Sequence, residues 1–202
     1  MRTHLARLFL FILLATSLSM TNAETRTQTA LLAGGCFWCL EADFEKLDGV
    51  VAVVSGYSGG HVANPTYQQV SAGSSGHIEV VQVTYDTTKL SYRQILDHFW
   101  RQIDPTRNDG QFCDRGPQYR PAIFYQTPQQ QQQAQASMQE IEASKPFAAP
   151  LKVELLAAQA FYPAEDYHQD YYLKNPYRYK FYRYNCGRDA RLKELWGAAT
   201  VQ

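Results

Sequence analysis

Cysteine is scarce in this chain, with four among 202 residues, and only Cys36 and Cys39 stand close together. Cys113 and Cys186 form no second close pair, so a four-cysteine zinc site is not expected. An excess of one charge is also missing. Nineteen basic and nineteen acidic residues leave a formal charge of zero, which gives no case for nucleic acid or an acidic membrane. Beyond the N-terminus no apolar run approaches the roughly 20 residues that a bilayer span needs. No internal repeat or linker divides the chain, and its length suits one domain with a proper core.

The one long apolar run is N-terminal. Arg2, His4 and Arg7 precede Leu8 to Ala15, and Thr21-Asn22-Ala23 offers a small-residue cleavage site. This is the pattern of a signal peptide over residues 1–23, leaving 24–202 as the folded domain. The expected setting is exported and oxidising, periplasmic or secreted, with no stable membrane association after cleavage. A retained anchor is the rival reading.

The remaining chain is organised around Gly34-Gly35-Cys36-Phe37-Trp38-Cys39. An apolar strand (28–33) precedes it, and Phe37, Leu40, Phe44 and Leu47 follow at helical spacing. The glycines then make a tight strand-to-helix turn that leaves Cys36 in the first turn of a helix. There the helix dipole and unpaired N–H groups favour a thiolate. A buried structural cysteine is the plainer reading of any one thiol; the turn and the flanking aromatics argue against it. A c-type haem site would need His where Leu40 stands. A thioredoxin-like dithiol fits the local pattern and stays open on these residues alone.

In order, the expected elements are strand 28–33, helix 36–47, strand 50–55, a Gly-rich loop 56–65, strand 77–85 and a helix capped by Ser91 and Gln94. A polar loop 106–117, strand 119–125, a helix from Thr127-Pro128, strand 152–157, a short helix 164–172, a Tyr-rich tail and a helix 188–196 follow. This predicts one α+β domain, a mixed β-sheet with helices packed on it as a two-layer sandwich, ending in a long irregular C-terminal segment. Glu79 sits between Ile78 and Val80, where burial would raise its pKa.

Seven motifs occur in register: Gly34 to Trp38, Gly56 to Gly60, Asn64-Pro-Thr-Tyr67, Gly76-His-Ile-Glu79, Gln118-Tyr-Arg120, Ala164 to His168 and Lys174-Asn-Pro-Tyr177. Together they resemble the peptide methionine sulfoxide reductase A family over nearly all of residues 30–180. The resemblance implies reduction of the S epimer of methionine sulfoxide, protein-bound or free, with no metal or organic cofactor. It casts Cys36 as nucleophile, Glu79 as acid, and Tyr67 and Tyr119 as hydroxyl donors to the sulfoxide oxygen. Phe37 and Trp38 match an aromatic cage for the S-methyl group, and Asp114, His168 and Tyr179 match further substrate-side positions.

Many relatives carry Gly where Cys39 stands and recycle through tail cysteines; at one such position this chain has Lys180. The expectation is that Cys39 resolves the Cys36 sulfenic acid while Cys113 and Cys186 form a structural disulfide. The alternative is a relay through Cys186. A thioredoxin-like dithiol would restore the enzyme, which is expected to be a monomer. Two other functions stay in play: a general thiol–disulfide oxidoreductase using Cys36 and Cys39, and a non-catalytic, disulfide-stapled binding domain with an aromatic surface.

Overall fold

The computed structural model describes residues 26–197, so the signal-peptide segment lies outside the described residues. The elements in chain order are β1 (Thr27–Ala33), α1 (Phe37–Phe44), β2 (Val50–Ser58), α2 (Tyr67–Ser71), β3 (Ile78–Asp86) and α3 (Tyr92–Arg101). A small hairpin, β4 (Gly110–Gln111) and β5 (Asp114–Arg115), leads through a 3-10 turn at Pro117–Tyr119 into β6 (Ala122–Tyr125) and α4 (Pro128–Ser144). The chain continues with β7 (Glu154–Ala157), β8 (Tyr162–Pro163), α5 (Tyr171–Lys174), α6 (Pro176–Asn185) and α7 (Arg188–Trp196).

Six strands form one mixed sheet in the order β7-β6-β1-β3-β2-β8. Its pairs are antiparallel except β6 and β7, which run parallel because the long helix α4 carries the chain back between them. The period of two in β1 decides the layers. Ala30 and Leu32 face the helices, while Leu31 and Ala33 face the other side. Over the first face α1 lays Phe37, Leu40 and Phe44, α3 lays Ile95, Leu96, Phe99 and Trp100, and α7 adds Leu192, Leu195 and Trp196. On the second face Ile78, Val80, Ala122 and Phe124 are covered by Leu156, Ala158 and Phe161. The α+β reading holds.

The caps set several boundaries. Ser91 and Gln94 form the expected capping box, and Thr127 accepts from the Gln130 N–H with Pro128 at the first helical position. The same chemistry at Thr66 and Gln69 starts α2, a helix not expected from periodicity. Two expectations near the C-terminus need correcting. Residues 164–170 turn rather than form a helix, because their side chains bond elsewhere: the Gln169 amide pairs with the backbone of Ser55, and Glu165 accepts from the Tyr57 hydroxyl and the Tyr67 N–H. Irregular structure therefore occupies 158–170 apart from β8, whereas the Tyr-rich tail is helical as α6, with Pro176 in its first turn.

Candidate functional site

The turn between β1 and α1 can only be glycine. Gly35 has φ +84°, and a β-carbon there would lie 2.5 Å from that of Gln111. At Gly34 it would meet Ile103 at 2.6 Å. The turn presents Cys36 as the residue capping α1, buried at 6% exposure.

A cavity of about 90 Å³ opens beside it. Phe37 and Trp38 from α1, Tyr67 from α2 and Glu79 from β3 line one part; Asp114, Tyr119 and Tyr182 line the rest. The volume suits the end of one side chain rather than a ligand needing roughly 300–1,000 Å³. A cavity of about 660 Å³ lies where α3 and α4 begin, but its lining holds no cysteine, histidine or carboxylate.

Glu79 is 2% exposed, and its Oε2 accepts the Phe37 N–H at 3.0 Å. Burial pushes its pKa up to about 8, against the pull of that N–H, so the acid is protonated at neutral pH. Burial also raises Tyr67 to about 12 and Tyr119 further, keeping both phenols neutral donors. Asp114 is raised by burial while accepting from the Tyr182 hydroxyl at 2.5 Å.

The cysteine pair corrects one expectation. Cys36 is pushed well above the ordinary thiol range by burial, by its hydrogen bond to Cys39, and by the Glu79 and Asp114 carboxyls. The helix end, worth about 0.3–1 kcal/mol, loses to that desolvation. Cys39 moves the other way, lowered by the hydrogen bond from Cys36 and by the Arg188 and Arg183 guanidiniums, against its own burial. The cations sit behind Cys39, not Cys36.

His168 and Tyr179 do not line the cavity. His168, 2% exposed and held neutral by burial, accepts the Trp38 indole N–H at 3.0 Å. Trp38 is fixed on its other face by Tyr171, stacked at 3.7 Å and 5°. Tyr179 packs on Cys39 and accepts from Arg183 at 3.0 Å. Sequence reasoning missed Tyr182, one tyrosine in a run of them. The inward spacing of Tyr179, Tyr182 and Cys186 on a helix is the signal that could have found it.

Cys113 and Cys186 are joined as a disulfide, while Cys36 and Cys39 are free. Among the described residues, Glu41, Glu45 and Asp170 also have metal-like spacing, with atoms within 4.8 Å of one another. The Tyr172 hydroxyl donates to Glu45, while both Glu41 oxygens are buried without a hydrogen-bond partner among the described residues and burial pushes the Glu41 pKa up to about 7.

A buried acid, two phenols and an aromatic wall around a free thiol make a site for thiol attack on a small polar group that must be protonated to leave. The comparisons agree. A profile described as peptide methionine sulfoxide reductase matches residues 28–200. The Vibrio cholerae peptide methionine sulfoxide reductase MsrA/MsrB is 54% identical over 94% of this chain, which spans only 53% of that longer protein. The Caulobacter vibrioides reductase MsrA 2 is 49% identical over 93% of this chain and 98% of its own. The structure of methionine sulfoxide reductase A of Corynebacterium diphtheriae superposes with a TM-score of 0.69 at 34% identity, covering 74% of this chain and 76% of that one. With its fold, its cavity and these relatives agreeing, the chain belongs to the peptide methionine sulfoxide reductase A family.

Proposed function

We propose that this reductase acts on the S epimer of methionine sulfoxide, protein-bound or free, with Cys36 as nucleophile and Glu79 as acid. The observation that carries the reading is Glu79: a carboxyl neutral at pH 7, in the same cavity as Cys36, with Oε2 held by the Phe37 N–H. Its Oε1 is left to carry the proton toward the cavity.

The substrate methyl rests against Phe37 and Trp38, and its oxygen turns toward Glu79, Tyr67 and Tyr119. Cys36 sulfur attacks the sulfoxide sulfur while Glu79 lends a proton to the oxygen and the phenols share its charge. The hydroxyl then passes from the substrate sulfur to Cys36 Sγ as the new sulfur–sulfur bond breaks, so the thioether leaves with two more electrons and Cys36 is left as a sulfenic acid. The proton of the Cys36 thiol replaces the one Glu79 gave, so none is consumed. The lowered pKa of Cys39 favours it as the resolving thiol: its sulfur displaces hydroxide, which leaves as water, and a Cys36–Cys39 disulfide forms. An external thioredoxin-like dithiol then reduces that bond. Cys113–Cys186 is read as a structural staple, and residues 1–23 as the signal that makes exported proteins the repair targets.

The test supplies each epimer of methionine sulfoxide with dithiothreitol and follows methionine by chromatography. The S epimer is expected to turn over and Cys36→Ser to abolish it. Turnover of neither epimer, alongside reduction of a plain disulfide substrate, would move the chain to the general thiol–disulfide oxidoreductase reading.

A further inference from the structure

Helix α6 reads Pro-Tyr-Arg-Tyr-Lys-Phe-Tyr-Arg-Tyr-Asn and carries no acidic residue. Its inner side is occupied. Tyr179 packs on Cys39 and Ala42, Tyr182 lines the cavity, and Arg183 is held between Asp43 and Asp189. Tyr177, Phe181 and Tyr184 follow one another at steps of four and three residues, so they lie along the opposite side. They are 88%, 73% and 84% exposed. Arg178 and Lys180 flank the stripe, and neither side chain has an ion pair or hydrogen bond among the described residues.

Three exposed rings along one helix side form an apolar patch of the kind that marks a contact surface. Exposure this high means that they stand out from the helix rather than line a groove. A folded partner would need a matching cleft; a lipid interface yields around protruding rings, and its anionic headgroups complement the arginine and lysine. We propose that α6 adsorbs reversibly to an anionic lipid surface, with Tyr177, Phe181 and Tyr184 at the acyl boundary and Arg178 and Lys180 on the phosphates. The whole chain is neutral, but this face is not. The contact needs no spanning helix, and none of the described helices is long and apolar enough to be one. Because the rings point away from Tyr182, adsorption leaves the cavity open.

The test uses the full chain with Phe181→Trp as reporter, its emission read against the parent chain. Vesicles of equal parts phosphatidylcholine and phosphatidylglycerol should blue-shift the reporter, and brominated acyl chains should quench it; phosphatidylcholine alone should do neither. Arg178→Glu with Lys180→Glu should weaken the response at least tenfold, since each basic residue near the surface is worth about fivefold. Tyr177→Ser with Tyr184→Ser should do likewise, with turnover of free methionine sulfoxide unchanged. A shift that is absent, equal on neutral vesicles or indifferent to these substitutions overturns the proposal. A shift that follows protein concentration without lipid would assign the face to a second copy, and one produced only by an oxidised unfolded polypeptide would assign it to substrate; either outcome overturns it too.

Discussion

The two cysteine pairs of this protein are opposites built side by side. Cys36 and Cys39 are neighbours in sequence, buried and free, whereas Cys113 and Cys186 are 73 residues apart, partly exposed and bonded at a Cα separation of 4.8 Å. Asp114 joins them: its carboxyl lies 3.9 Å from both Cys113 Sγ and Cys186 Sγ, and it lines the Cys36 cavity. The difference teaches where thiol chemistry comes from. At the first pair it comes from surroundings, with desolvation and carboxyls on Cys36 and two guanidiniums behind Cys39. The second pair is already bonded, tying the β4–β5 hairpin to the end of α6, where Asp114 and Tyr182 meet.

The largest break in that comparison is expected at Cys39. Cys39→Ser should leave one rapid turnover intact and stop the cycle there with a thioredoxin-like reductant, because the sulfenic acid on Cys36 loses its buried partner. Peptide mapping after a single turnover of the parent should find a Cys36–Cys39 bridge. A bridge to Cys186 would merge the two pairs into one relay.

Next in size is Glu79→Gln, which should slow methionine formation by about 10²–10⁴-fold, the range of a positioned general acid. With a pKa of about 8 and the protonated form as the proposed donor, parent activity should fall as pH rises through 8 while the slower variant loses that limb. Stability should instead favour the variant. The folded pKa lies above the roughly 4.3 of an unfolded glutamate, so the fold loses stability as pH rises between those values and no further beyond. The glutamine variant escapes this loss, so its Tm advantage should grow from pH 5 to 8. A variant as fast as the parent and no more stable at pH 8 would remove Glu79 from the role.

Replacing Cys113 and Cys186 by Ser should cost stability rather than chemistry. Closing a 73-residue separation stabilises by about 4 kcal/mol on the chain-entropy model, an upper figure for a measured denaturation midpoint. Activity at low temperature should change far less than with Glu79→Gln. An equally large activity loss in the intact fold would make this pair chemical.

How much of this was legible beforehand follows the same division. Contiguous information read well: the Gly-Gly turn, the Ser91 and Thr127 caps, the alternation in β1, and Glu79 between apolar neighbours all told where the chain would go and what it would bury. Contacts across the chain did not. The Cys36 thiolate expected from the helix end ignored Glu79 and Asp114, which only the fold brings near. Residues 164–170 matched a helical pattern, but Glu165 and Gln169 spend their side chains on Tyr57, Tyr67 and Ser55, around a hundred residues away. Helix α6 hid in a tyrosine run because aromatic residues are indifferent helix formers; it forms through Pro176 and packing against α1.

The smallest expected effect is also the most discriminating. Trp38→Ala should raise KM for methyl sulfoxides by an amount equal to about 1–3 kcal/mol, the scale of an apolar pocket contact. Trp38 both lines the cavity and is tied back to His168 and Tyr171, so two roles must be separated. If it acts as cage, Trp38→Phe should restore most of the affinity, because a ring still meets the methyl although the hydrogen bond to His168 is gone. If it acts as tether, Trp38→Phe should behave like the alanine variant, and His168→Ala should copy both. An alanine variant with the parent's KM would place Trp38 with the packing that supports the first cysteine pair rather than with the substrate.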